Sequence, residues 1–212
     1  MGRGQRPGAE RVKGLLVDYG GVLTTNVFDS FRAFCTAEGL EPDAVRRLFR
    51  EDPEAMRLVR GLETGTVSEA AFGERFGALL QIGDHDGLVN RMFAGVSPDE
   101  EMLAALRAAR AGGVRTGLIS NSMGDTAYDR SAFGELFDGV VISGEVGLHK
   151  PQPEIFRLGC ERAGLEPPDC VFVDDLRENC EGAEAIGMTA VLHRGADTTV
   201  PALERFLGMP LR

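Results

Sequence analysis

The stretch Gly14-Leu15-Leu16-Val17-Asp18-Tyr19-Gly20-Gly21-Val22-Leu23-Thr24 decides how the rest of the chain is read. An apolar run ends on an ionisable side chain, and two glycines follow. A charge at the tip of a buried strand is a poor core element, because burial penalises an unpaired carboxylate. It is a good way to present that carboxylate to a ligand, since ligands of open α/β sheets sit beyond the carboxyl ends of the strands.

Further apolar runs of strand length lie at Arg115–Ser120, Gly139–Ser143, Cys170–Asp174 and Thr189–His193, and the first run reads as Gly14–Asp18. Helical patterns separate them. Ser97-Pro98-Asp99-Glu100 reads as an N-cap serine, a proline at N1 and a glutamate at N3, with Gly112-Gly113 closing that helix. Another helix opens at Pro153 and runs to Gly164, and a third carries Ala183, Ala185 and Ile186 and stops at Gly187. Alternation of strand and helix predicts an α/β fold with a doubly wound, mostly parallel, Rossmann-like sheet.

Between residues 25 and 96 no comparable strand appears. Phe28, Phe31, Cys35; Val45, Leu48, Phe49; Phe72, Phe76, Leu79, Leu80; and Leu88, Met92, Phe93 recur at helical spacing, with breaks at Gly39, Pro53, Gly61 to Gly65 and Gly83. The expected organisation is a basic disordered tail at 1–11, an α/β core from 12–24 and 97–212, and a small helical cap at 25–96 placed over the strand ends.

With 212 residues the chain suffices for one large domain or a medium domain with an insert. Its net charge of -10 argues against a nucleic-acid partner, which needs a basic surface. No run approaches the roughly 18 apolar residues of a membrane span. Cys35, Cys160, Cys170 and Cys180 form no C-x-x-C pair and read as buried, reduced thiols, which suggests a cytoplasmic protein.

Parallel strands bring their carboxyl ends to one rim. Asp18, Ser120 of Leu118-Ile119-Ser120-Asn121-Ser122, Lys150 of Gly147-Leu148-His149-Lys150-Pro151, and Asp174-Asp175 should therefore meet. Three carboxylates together call for a cation, and hard oxygen ligands suit Mg²⁺. Lysine and metal would neutralise a transferred phosphoryl group, Ser120 and nearby N–H groups would hold its oxygens, and Asp18 would be the nucleophile. Each residue also has a structural reading: Asp18 as a turn cap, Asp174-Asp175 as a helix N-cap, Lys150 as a surface lysine, Ser120 as a turn residue. Arg46, Arg47, Arg50, Arg57 and Arg60 read first as a solvated helix face, since Glu51, Asp52 and Glu54 lie among them; contact with a distal anionic group is the alternative. Asp84-His85-Asp86 has the composition of a metal trio but falls in an expected loop.

Taken in order, these segments resemble the four motifs of the haloacid dehalogenase superfamily, in its subgroup with a small helical cap. Asp18 to Leu23 matches the first motif, Ser120 the second, Lys150 the third and Asp174-Asp175 the fourth, and the match runs on through Asn179, Ala183, Gly187 and Met188. The chain resembles most the phosphatase-like half of soluble epoxide hydrolases and related small phosphatases, and the resemblance covers nearly all of residues 12–208. The resemblance implies catalytic roles for Asp18 and Lys150 and phosphate binding at Ser120. Asn121 would contact the substrate or the cap. It implies Mg²⁺ on Asp18, the Gly20 carbonyl and Asp175, with Asp174 acting mainly through a metal-bound water. The implied partner is a small phosphorylated substrate, and the chain would be a monomer or homodimer.

One position departs from that pattern. Phosphatases of this family usually carry a second Asp where Gly20 stands, as the acid that protonates the leaving oxygen. General acid catalysis contributes about 10²–10⁴-fold, so its loss should penalise alkoxide leaving groups and spare acyl, aryl or anomeric phosphates. His149, Asp29 and Glu63 are the replacement donors that the sequence offers. A non-catalytic phospho-ligand binder, or a 2-haloacid dehalogenase working without metal, are the competing functions.

Overall fold

The computed structural model describes residues 12–124, 128 and 130–212. The basic stretch 1–11 lies outside the described residues. Five strands form one sheet: β1 (Gly14–Val17), β2 (Arg115–Ser120), β3 (Gly139–Ile142), β4 (Cys170–Asp174) and β5 (Thr189–Leu192). Their order is β3-β2-β1-β4-β5, and every neighbouring pair is parallel. Val17 stands opposite Leu118 on one side and Val173 on the other, so Asp18 leaves the sheet at its centre.

Three strands end one residue earlier than their apolar runs suggest, and the polar residue that closes each run falls just past the ladder. Asp18 still donates its N–H to the Val173 carbonyl at 2.9 Å, and His193 donates to Asp174 at 2.8 Å. The backbone therefore fixes these residues although they lie outside the strands.

Eleven α-helices occur among the described residues: α1 (Val27–Ala37), α2 (Ala44–Glu51), α3 (Pro53–Glu63), α4 (Glu69–Leu80), α5 (Leu88–Phe93), α6 (Glu100–Ala111), α7 (Phe133–Leu136), α8 (Ser143–Val146), α9 (Pro153–Ala163), α10 (Arg177–Glu184) and α11 (Ala196–Leu207). Both sheet faces are covered, as parallel sheets require. Leu15, Val17, Leu118, Val171 and Val173 pack with Ala105, Leu106 and Leu203 of α6 and α11. Leu16, Ile119, Val141 and Phe172, pointing the other way, pack with Ile155, Phe156 and Ala183 of α9 and α10.

Helices α1–α5 bury a separate cluster built on Phe31, Phe34, Leu58, Phe72, Phe76 and Met92. Phe72 and Phe76 stack at 4.9 Å, one helical turn apart. The chain leaves the core and returns to it side by side: Thr25 donates to the Ser97 carbonyl at 2.8 Å and Asp99 to the Leu23 carbonyl at 2.9 Å. This pairing corrects the expected cap of α6. Ser97 is held by the bridge, so Asp99 takes the N-cap and its side chain accepts from Met102 at 2.9 Å. Gly61 is likewise not a break. It lies inside α3, where a Cβ would come within 2.4 Å of Val67, and the turn follows at Thr64-Gly65. No described helix is long and apolar enough to cross a membrane. All four cysteines are free and buried.

Candidate active site

The rim of the sheet gathers Asp18, Lys150 and Asp174 into one buried ionic group. The Lys150 side chain is 1% exposed, and its ammonium lies 2.8 Å from Asp18 Oδ1 and 2.6 Å from Asp174 Oδ2. Burial alone would lower the Lys150 pKa, but the Asp174 and Asp18 carboxylates outweigh it and hold the ammonium charged well above the ordinary range. A buried charge is tolerated only when paired in this way. The same nitrogen sits over the Phe172 ring, 5.4 Å from its centroid.

Each carboxylate has a different local support. Asp18 Oδ1 accepts from the Tyr19 N–H at 2.7 Å. Burial and the nearby Asp174 and Asp175 charges, opposed by Lys150, push its pKa up to about 7. Asp174 is fully enclosed and accepts from the Leu176 N–H at 2.8 Å and from the Asn179 amide at 3.0 and 3.1 Å. Asp175 is half-buried and raised to about 6, first by burial and then by Asp174.

One ammonium thus faces three carboxylates. Asp18, Asp174 and Asp175 each offer an oxygen, and these oxygens lie within 4.8 Å of one another; no other such group of His, Cys, Asp and Glu occurs among the described residues. An all-oxygen donor set with net negative charge fits a hard divalent cation such as Mg²⁺. Gly21 keeps the approach open. Its φ of +74° suits glycine, and a Cβ there would stand 2.8 Å from Asp175 Oδ2. Asp84, His85 and Asp86 form no such cluster: Asp84 accepts from the Asp86 N–H, and His85 Nε2 contacts the Ile82 carbonyl at 2.9 Å.

Gly20 itself leaves little room. A Cβ would meet Val27 Cγ2 at 3.2 Å, so the first residue of α1 already fills the space next to the missing carboxylate. The backbone at Gly20 lies outside the left-handed region, so a side chain there needs movement of Val27 rather than of the loop.

Ser120 ends β2, buried, with its hydroxyl 2.9 Å from that of Tyr128. The Tyr128 ring packs at a tilt against Tyr19, the residue after Asp18, with centroids 4.9 Å apart, and burial raises its pKa, so its hydroxyl stays protonated. Nothing in the sequence singled out Tyr128, which belongs to no periodic pattern. Asn121 grips the lysine loop from both sides: Lys150 donates its N–H to Asn121 Oδ1 at 2.8 Å, and Asn121 Nδ2 donates to the Lys150 carbonyl at 3.2 Å. A second clamp ties the insert to the rim, since the Ser143 hydroxyl accepts from the Ser122 N–H at 2.8 Å and donates to the Glu63 carbonyl.

The possible proton donors separate in space. Asp29 is exposed and pairs with Arg32 at 3.6 Å. His149 turns its Nδ1 to the Lys150 carbonyl at 3.0 Å and to the Arg60 guanidinium. Glu63, at the end of α3, has its carboxyl pKa raised by burial, against the lowering effects of Arg60, Lys150 and Asn121.

Glu63 also lines a cavity of about 610 Å³ with Phe28, Phe31, Phe49, Met56 and Val59 of the insert and Met123, Leu176 and Glu178 of the core. Arg46, Arg50, Arg60 and Arg177 border it as well. Arg46, Arg47, Arg50, Arg57 and Arg60 are all solvent-exposed, as a solvated face requires; Arg57 pairs with Glu54, and Arg46, Arg50 and Arg60 also border the cavity.

Comparison with known proteins agrees with this geometry. A family model described as haloacid dehalogenase-like hydrolase matches residues 12–187. Acyl-CoA dehydrogenase family member 10 of Mus musculus is 27% identical over 96% of this chain, which spans 20% of that protein. A glyceraldehyde 3-phosphate phosphatase of Methanopyrus kandleri is 32% identical over 49% of the chain, which spans 46% of it. Among solved structures, a haloacid dehalogenase family enzyme of Bacteroides thetaiotaomicron superposes with a TM-score of 0.67 at 21% identity, covering 87% of this chain and 95% of that one. A mutant of the same enzyme has been solved with magnesium and inorganic phosphate. With its parallel sheet, its rim of carboxylates and a family match over most of its length, the chain belongs to the haloacid dehalogenase-like hydrolases.

Proposed function

We propose that the protein is a Mg²⁺-dependent phosphohydrolase of a small phosphorylated molecule, with residues 25–96 acting as a cap over the site. The observation that carries this reading is the Lys150 ammonium bridging Asp18 and Asp174 inside a three-carboxylate rim. Phosphoryl transfer needs positioned positive charge more than covalent chemistry from the protein.

Asp18, the Gly20 carbonyl and Asp175 would hold the cation, with Asp174 behind them. When bound, it would neutralise phosphoryl oxygens and relieve the repulsion among the carboxylates. Asp18 attacks phosphorus with one carboxylate oxygen, the bond to the leaving oxygen breaks, and water then cleaves the aspartyl phosphate. Lys150 holds Asp18 in place and offsets charge on the phosphoryl group. The Ser120 hydroxyl, oriented by Tyr128, contacts a phosphoryl oxygen. Asn121 has both ends of its amide on the Lys150 backbone, which supports a positioning role in addition to any contact with phosphate.

With glycine at position 20, the leaving oxygen finds no acid on the first loop. Glu63 takes that duty in this reading: it lines the cavity from the cap side, and burial shifts its carboxyl pKa upward, the direction a general acid needs. The test is a panel of phosphate esters spanning leaving-group pKa, with Asp18→Asn as control. Mg²⁺-dependent phosphate release that steepens toward good leaving groups supports the reading. Tight Mg²⁺-dependent binding of a phosphate mimic without turnover of acetyl or aryl phosphates would make the protein a phospho-ligand binder instead.

A further inference from the structure

The cavity between insert and core has an unusual lining. Of the large hydrophobic side chains exposed among the described residues, Met56 (45%) and Leu176 (38%) both border it. Exposed apolar side chains facing each other across a cleft mark a ligand surface. Leu176 directly follows Asp175, and Met123 lies three residues past Ser120, so the cavity walls grow out of the same loops that carry the rim.

Arginines frame this apolar lining. Arg46 and Arg50 approach from α2 and Arg177 from the start of α10, on the opposite wall. Among the described residues none of the three forms an ion pair with a carboxylate. Elsewhere on the insert Arg32 pairs with Asp43, Arg57 and Arg75 with Glu54, and Arg91 with Glu38, while Arg47 of α2 has no ion pair among the described residues and lies off the cavity. What sets Arg46, Arg50 and Arg177 apart is position: all three border the same apolar-lined cavity. Arg46 also lies 5.4 Å from the centroid of the Phe28 ring, which orients its guanidinium along the lining. Glu63 and Glu178 share the cavity, but Glu63 is within 3.6 Å of Arg60.

We propose that this cavity receives the non-reacting part of the substrate, and that this part is an apolar body carrying a second anionic group. The phosphate would lie at the Asp18 end, the body against Phe28, Phe49, Met56 and Leu176, and the second anion between Arg46, Arg50 and Arg177. Guanidinium groups bind carboxylate and phosphate oxygens in paired hydrogen bonds, which a neutral substrate end does not offer. The volume fits a small molecule. This assignment rests on the phosphohydrolase reading for the position of the phosphate.

Two phenyl phosphates test it, each with a short alkyl chain, one ending in a carboxylate and the other in the isosteric amide. The wild type should favour the carboxylate-ended ester in kcat/KM by about tenfold or more. Arg50→Ala and Arg177→Ala should each lower that ratio several-fold, while Arg57→Ala, in its outer pair with Glu54, should leave it unchanged. A wild-type ratio near one, or a ratio that the Arg50 and Arg177 variants do not move, overturns the proposal. If neither ester is hydrolysed, the phosphohydrolase reading fails, and calorimetry with the matching non-hydrolysable phosphonates decides the cavity separately. Tighter binding of the carboxylate-ended phosphonate, lost in the two arginine variants, sustains the assignment; equal binding of both phosphonates overturns it.

Discussion

At the rim of the sheet, Lys150, Asp18 and Asp174 are buried and bonded to one another, whereas on the insert Arg46 and Arg50 are exposed and have no carboxylate partner among the described residues. The first arrangement fixes geometry at the cost of desolvating charges, which is tolerable only with every partner in place. The second leaves charge available to something outside the chain. A site that performs one reaction needs the former; a surface that selects a substrate needs the latter. The two regions meet at the Ser143–Glu63 clamp and at Arg60 on His149, and the strand-like bridge at Thr24 and Pro98 closes the base of the insert.

The largest effect should come from the rim. Asp18→Asn is expected to lower Mg²⁺-dependent phosphate release by about 10⁴-fold or more, while thermal unfolding stays cooperative. Lys150→Met should be as inactive and also lose about 3–5 kcal/mol of stability, because two buried carboxylates lose their counter-charge. Urea unfolding of that variant checks the second half; a stability equal to wild type would mean the rim is wetter than its burial implies.

In the insert, Phe76→Ala removes a fully buried ring from the aromatic cluster and should cost about 3–5 kcal/mol. Because Glu63, the proposed acid, stands on the insert, a folded fraction of this variant should show a raised KM and a steeper dependence on leaving-group pKa. An unchanged dependence would mean that the acid does not come from the insert.

Gly20→Asp crosses between the regions, because Val27 of the insert must yield a few tenths of an ångström. Alkyl phosphates should gain up to about 10²-fold relative to aryl phosphates, and Glu63→Gln should cost alkyl substrates more in the wild type than in this variant. Equal cost in both backgrounds would remove Glu63 from proton transfer.

The smallest effect tests the core away from the rim. Asp138 feels burial that raises its pKa, but the Thr116 N–H at 2.8 Å and Arg110 at 2.7 Å prevail and hold it below 3.8. The folded carboxyl therefore binds its proton later than the unfolded one on acidification. Its stabilisation is present above pH 3.8 and is lost as pH falls through the lower folded value. Asp138→Asn should accordingly flatten the stability profile in that acid window, as read by urea unfolding at several pH values, with little change in catalysis.

Much of the rim was legible in the sequence because parallel strands place the ends of apolar runs together. Asp18, Ser120 and Asp174 each close such a run, and Lys150 precedes a helix start marked by Pro153. The clamps were not legible. Asn121 on Lys150, Tyr128 on Ser120 and Ser143 on Glu63 join residues whose separation follows no period. The arginines were read by composition as one solvated face, yet a helix turns about 100° per residue, so neighbours in that run look in different directions. Arg57 meets Glu54, while Arg46 and Arg50, one turn apart, border the cavity together.

In the proposed reaction Asp18 carries the phosphoryl group. Quenching the enzyme during turnover of an aryl phosphate with Mg²⁺, reducing with borohydride and sequencing by mass spectrometry tests it directly. Asp18 should be converted to homoserine, dependent on substrate and absent in Asp18→Asn. Turnover at full rate with the reduced product at another carboxylate, or undiminished phosphate release from Asp18→Asn, would contradict it.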